Sequence, residues 1–171
     1  MTPEEVAFFD DYLSSAGNWG FLLSTYDSPK KVDLEEVFYS GVGISDGYLT
    51  EEQAEDYLNA SGDAEIYTDI VHLTTTEIND FLLKKTGLTL AQMENGLSWV
   101  YSEKTDTWYH QAGDINWRPF QCISGTVMGD IYTLRIKLEG IGGGDQDELY
   151  ETVLKKNGDE YQFISNSFVE E

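Results

Sequence analysis

Apolar positions along the chain change their spacing near residue 96, and the change divides the sequence into two halves of different secondary structure. In the first half they recur at intervals of three and four, the period of one helical face. Val6, Phe9, Tyr12 and Leu13 make such a face. Ahead of them, Thr2-Pro3-Glu4-Glu5 supplies a capping threonine, a proline at the first helical position and a glutamate three residues past the cap; Gly17 ends the element. A second helix is predicted from Asp33, with Glu36 at the reciprocal capping position, Leu34, Val37 and Phe38 turned inward, and Gly41 and Gly43 as stops. Thr50 and Gln53 open a third, which runs through Tyr57 and Leu58 to Gly62. A fourth starts near Thr74 with Glu77 completing the box, carries Ile78, Phe81 and Leu82 on its face, and closes at Thr86-Gly87. Thr89 to Met93 adds one more turn.

In the second half the pattern becomes strand-like. Ser98 to Ser102, Phe120 to Met128, Ile131 to Leu138, Leu149 to Lys156 and Tyr161 to Ser165 are rich in β-branched and aromatic residues. Gly129-Asp130 and Asn157-Gly158 sit where two-residue hairpin turns belong, and Asn-Gly is the stronger signal. IGGGDQDE connects the third and fourth of these five strands. Helices first and an antiparallel meander second predict an α+β fold, with the helical N-terminal half packed on one face of a C-terminal sheet. No repeat or long linker splits the chain, so residues 1–171 read as one domain, helical over about 1–96 and sheet over about 97–171.

Charge narrows the function. The chain holds 32 acidic and 10 basic residues, for a formal net charge of −22. That balance repels phosphate backbones and anionic membrane surfaces, so nucleic acid is excluded as a partner. Two readings of the charge stay open: a self-repelling, soluble surface, or an acidic decoy for a basic partner's nucleic-acid site. A hydrophobic content of 40% with 13% aromatic residues is enough to fold a core of this length. Cys122 is the single cysteine, which rules out an intramolecular disulfide and leaves the compartment open. No stretch approaches 18 consecutive apolar residues, and MTPEEVAFFDDYL lacks the basic and apolar regions of a signal peptide. Met1 leads straight into a helix cap, an arrangement equally compatible with an export signal removed upstream.

Candidate chemistry concentrates in WYHQAGDINW, residues 108–117. His110, Asp114 and Cys122 are the one set resembling a base, an orienting acid and a nucleophile, but Cys122 lies among apolar strand residues, where a thiol is usually buried and inert. His72, beside an apolar strand-like run, reads as structural. Two histidines and one cysteine cannot assemble a structural zinc site, and no cofactor is implied. Asp10-Asp11 and Glu35-Glu36 are adjacent on helices and splay apart. Asp145, Asp147 and Glu148 have a spacing compatible with calcium but do not match a twelve-residue calcium loop, and the alternative is a solvated acidic loop. No phosphate-binding glycine loop and no G-x-S-x-G elbow occurs. Trp99, Tyr101, Trp108, Tyr109 and Trp117 cluster in sequence and fit either a packed core or a groove for a sugar or peptide. With His110 and Asp114 they form the candidate binding set. Within it, residues 108–117 are expected to make a turn, Trp108 and Trp117 anchored in the core and Gly113, Asp114 and Asn116 shaping the bend.

FLLSTYDSPKKVDLEEVFYSGVGI (21–44), TEINDFLLKKTGLTL (76–90), the WYHQAGDIN region and YQFISNSF near the end together carry a resemblance. The chain resembles a family of uncharacterised exported, lipoprotein-type proteins from anaerobic Gram-positive, gut-type bacteria, and YDSPKKVDLEEVFY is the most specific block. The resemblance spans most of the chain and implies one domain presented outside the cell behind a lipid anchor or transmembrane tether. It brings no established activity. The family pattern near 109–116 reads as tyrosines followed by His-Gly-Asp-Thr-Asn, whereas here Ala112 precedes Gly113, Ile115 follows Asp114, and His110 lies two places early. A catalytic histidine at the family position is therefore absent.

The expectation is a non-enzymatic, extracytoplasmic cell-envelope domain that binds a protein, peptide or glycan through the aromatic and acidic surface near 99–117. The alternative is a cytosolic, acidic inhibitor or immunity-type protein that blocks a basic partner.

Overall fold

The computed structural model describes residues 1–140 and 146–170, and its helices start where the caps place them. They are α1 (Pro3–Ser14), α2 (Leu34–Phe38), α3 (Glu51–Ser61) and α4 (Thr75–Thr86). Thr2, Thr50 and Thr74 each accept a backbone N–H three residues on, while Glu5, Gln53 and Glu77 reach back to the cap. Each box satisfies two donors that the first helical turn leaves without partners. Gly62 and Gly87 end α3 and α4 at φ 78° and 75°, a left-handed conformation that costs glycine nothing. At α2 the reciprocal half is lost. Asp33 caps, but the Glu36 carboxylate takes the side-chain amide of Asn116 at 3.0 Å instead.

Seven strands follow: β1 (Asp69–Thr74), β2 (Val100–Ser102), β3 (Thr107–Ala112), β4 (Phe120–Met128), β5 (Ile131–Leu138), β6 (Glu148–Asn157) and β7 (Glu160–Phe168). The last four form the expected antiparallel meander in sequence order, so the fold is α+β. Gly129 and Asp130 turn β4 into β5 as expected. The next turn is displaced by one residue: Asn157 still pairs with Glu160, and Gly158-Asp159 form the loop. Gly129 and Gly158, at φ 64° and 63°, thus occupy the same first loop position. Asn157 stays in the ladder because only that position needs a positive φ here.

One face of the meander is apolar. Cys122, Leu134, Ile136, Leu154, Tyr161 and Phe163 bury against α1, which lies over β4, and α4, which lies over β7. Phe21 stacks on Phe163 at 4.1 Å, so the loop after α1 belongs to the same core. Each such side chain, once fully buried, stabilises the fold by about 1.5–3 kcal/mol. The other face is laced by cross-strand pairs, Arg135–Glu151 at 3.1 Å and Lys137–Asp147 at 3.0 Å. Each sheet edge is met at a few backbone groups. At β4, the Asp10 carboxylate accepts the Cys122 N–H and the Met1 ammonium donates to the Gly125 carbonyl at 3.2 Å. At β7, Tyr26 and Asn166 exchange two backbone hydrogen bonds of 2.9 Å. The buried Asn166 side chain then donates to the carbonyls of Leu22 and Ser24 and accepts from Thr152.

The remaining three strands form a second sheet in the order β1-β3-β2, and they correct the expected division of the chain. β1, from within the helical half, pairs residue by residue with β3 from Asp69 opposite Ala112 to Thr74 opposite Thr107. The boundary near residue 96 holds for the described helices and for β2 to β7, and β1 alone lies on the wrong side of it. WYHQA, expected to be a turn, is the central strand. Both faces of β3 are covered: Tyr109 and Gln111 meet α3, while Trp108 and Ala112 pack on the main core. With no solvated face there is no alternation of polarity to read.

Candidate functional site

The seven candidate residues fall into three places. Trp99, Tyr109 and His110 lie inside. Trp99 is buried and donates its indole N–H to the Glu35 carboxylate at 2.8 Å. The His110 ring stacks on Trp99 at a centroid distance of 5.0 Å and takes the edge of Tyr39 at 5.2 Å. Burial lowers the His110 pKa, the nearby Glu35 charge partly opposing it, and its Nε2 is buried without a hydrogen-bond partner. Burial among these rings disfavours the charged imidazolium. Tyr101 and Trp108 pack ring to ring in a tilted pair at 4.6 Å and are tied down at their polar ends: Tyr101 donates to Asp106 at 2.7 Å and Trp108 to Thr75 at 3.0 Å. These two rings close the hairpin onto the start of α4.

Asp114 and Trp117 lie elsewhere, on the loop between β3 and β4. Trp108 packs against the core as expected, but Trp117 is 44% exposed and the expected second anchor is overturned. The anchor is Asn116. Its amide donates to the Glu36 carbonyl at 2.8 Å and the Glu36 carboxylate at 3.0 Å, and its oxygen accepts from Trp19 at 3.3 Å and Ser40 at 3.1 Å. All the hydrogen-bonding capacity of that side chain is used. On either side of it, Ile115 (58% exposed) and Trp117 point to water. The Asp114 carboxylate accepts the Ile115 N–H at 2.7 Å, shaping the bend.

This fixed ridge separates two concavities. One, of about 450 Å³, is lined by Ser40, Ser45, Gly47 and Ile115 among others, with the carboxylates of Asp46, Asp69 and Asp114 and no basic residue. The other, of about 540 Å³, lies between Leu23, Ile115, Trp117 and Pro119, with Glu36 and Arg118. The Arg118 guanidinium is already engaged, by Glu148 at 3.0 Å and the Glu139 carbonyl at 2.9 Å. Gly41, Val42 and Gly43 lead to the rim at φ 76°, 48° and 77°. A valine in that region is strained, and Val42 is kept there by burial of its side chain.

Asp56 is the polar hub that the sequence reading passes over. It sits on α3, only 3% exposed, and accepts from Ser102 at 2.9 Å, Thr105 at 2.7 Å and Tyr109 at 2.8 Å. Burial pushes its pKa up, yet the bonds from Thr105, Tyr109 and Ser102 outweigh this and hold it below the ordinary aspartate value. Burial and the same carboxylate drive the Tyr109 hydroxyl up to about 12. One sequence signal pointed here: the other acids of α3 are glutamates, and an aspartate in a helix interior is the poorer helix former.

The set weighed for nucleophilic catalysis does not come together. Among the described residues no hydrogen bond joins any two of His110, Asp114 and Cys122. Burial, reinforced by Asp10, pushes the Cys122 thiol up to about 11, far from a reactive thiolate. His72 is structural as expected: the Ser45 hydroxyl contacts its Nδ1 at 3.3 Å and accepts its backbone N–H at 3.0 Å. Of the acidic loop, Asp145 lies outside the described residues; Asp147 pairs with Lys137 and Glu148 with Arg118. Among the described residues no cluster of histidine, cysteine and carboxylate side chains is placed to hold a metal. No helix there is long and apolar enough to cross a membrane.

With fold and site in view, the α+β architecture defines the class. Compared with models of known protein families, with curated proteins and with solved structures, the chain matches none.

Proposed function

We propose that the chain is a non-enzymatic binding module, displayed outside the cytoplasm on a cell-envelope tether, whose partner is a protein, peptide or glycan. One observation carries the binding role: Ile115 and Trp117 face water on either side of an asparagine fastened by four hydrogen bonds. A soluble surface gains nothing from holding two large apolar side chains rigidly in water unless something covers them. A fixed backbone also lowers the ordering cost of binding. The location rests on the resemblance of the 21–44, 76–90 and 161–168 segments to exported lipoprotein-type proteins.

Protease treatment of intact producing cells tests the location. The chain is expected in the envelope fraction and digested from outside; recovery from the cytosol alone overturns that part of the reading. A cytosolic outcome favours the second reading, an acidic inhibitor of a basic partner. That reading is supported by the charge itself, 32 acidic against 10 basic residues.

A further inference from the structure

Resting on the binding-module reading, we infer that the Ile115–Trp117 ridge docks a polypeptide segment bearing lysine or arginine beside apolar side chains. The apolar half of the recognition is direct. Ile115 and Trp117 are anchors that need no rearrangement, because Asn116 between them is pinned to Glu36, Trp19 and Ser40. Rigid, exposed aromatic and aliphatic anchors beside a concavity are what binding hot spots are made of.

The groups still free to bind decide the partner's chemistry. A sugar stacked on Trp117 would need hydrogen-bonding groups at the ring's edge. Near it the Asn116 amide is fully used, one Glu36 oxygen is taken by Asn116, the two terminal Arg118 nitrogens are turned to Glu148 and the Glu139 carbonyl, and the Arg118 Nε is buried. What remains open is the acidic concavity on the other flank of Ile115. There Asp46, Asp69 and Asp114 line the wall with no lysine or arginine among them. Three carboxylates around an unneutralised concavity repel an anionic ligand and favour a cationic one. The two flanks share Ile115, so a single extended segment can lay an apolar side chain against Trp117 and a basic one among the aspartates.

Selection of random twelve-residue peptides displayed on phage against the intact chain tests this directly. The recovered peptides, synthesised and titrated by calorimetry, are expected to pair at least one lysine or arginine with an apolar residue. Ile115→Ser with Trp117→Ser should weaken them at least tenfold, while Trp117→Phe keeps most of the affinity. Replacing Asp46, Asp69 and Asp114 by asparagine should weaken binding and flatten its salt dependence. All these variants should keep the parent melting temperature, since the substituted groups lie at the surface. Peptides lacking basic residues, or basic peptides that bind the Ile115/Trp117 variant unchanged, overturn the docking surface and leave the binding-module reading standing. Failure to select peptides, with oligosaccharides bound through Trp117, overturns the partner chemistry alone. If neither a peptide nor an oligosaccharide array binds, both readings fall.

Discussion

The two sheets are held by opposite means. The meander closes mainly on apolar side chains, Leu134, Ile136, Leu154 and Phe163, with the Thr152–Asn166 pair as its buried polar contact and its ion pairs on the far face. The three-stranded sheet has a small apolar cluster of Tyr57, Ile70 and Tyr109 and depends on a buried carboxylate that ties α3 to β2 and β3. Apolar burial tolerates a shift of neighbours; a buried anion with three hydroxyl donors does not, because each donor left unpaired carries its own desolvation cost. The meander should therefore be the more stable unit and the small sheet the first to open.

Breaking each support separately tests that contrast. The largest loss is expected from Phe163→Ala, which leaves a cavity beneath Phe21 and should cost about 3–5 kcal/mol in a denaturant titration. Asp56→Ala follows, at about 2–4 kcal/mol, with hydrogen exchange speeding up in α3 and the small sheet before the meander. If both sheets lose protection together, they are one cooperative unit and the contrast fails. The Asp56 contribution is also pH-dependent. Its folded pKa is depressed, so it stabilises fully above the ordinary aspartate value and is lost as the pH falls below that toward the folded pKa. Asp56→Asn should flatten that acid limb.

His110 gives a smaller effect in a different window. Its folded pKa is lowered, so the unfolded chain takes up a proton first as the pH falls through the ordinary histidine range. Stability is full above that range and declines toward the folded pKa. Urea titrations at pH 7.5 and 5.5 should show this slope in the parent chain and a shallower one in His110→Phe. The smallest change is expected at the ridge: Ile115→Ser and Trp117→Ser should each shift stability by no more than about 0.5 kcal/mol. A larger loss at Trp117 would make it a structural residue and not a binding one.

How far the sequence spoke depended on whether a signal was local. Capping boxes at Thr2, Thr50 and Thr74 were legible because both partners lie within four residues. The strands of the meander were legible because one face is core and the other solvent. β1 showed only as a short apolar run beside His72, and β3 not at all, since α3 and the main core cover both its faces. Nor were the two asparagines that fix the site and the edge legible. Asn116 reaches Trp19, Ser40 and Glu36 across 76 to 97 residues, and nothing near position 116 announces those partners. Trp117 failed for a related reason: tryptophan is as common in interfaces as in cores, and its neighbours in sequence do not tell which. The candidate set as a whole was a neighbourhood in sequence and three separate neighbourhoods in space.

The pairing of Asn166 with the loop after α1 has a consequence in time. Leu22 and Asn166 are 144 residues apart along the chain. At a synthesis rate of about 5–20 residues per second, the loop waits on the order of ten seconds for the strand that secures it. Until then Phe21 has no Phe163 to stack on and Tyr26 no backbone partner. The loop after α1 is thus secured only once β7 has arrived.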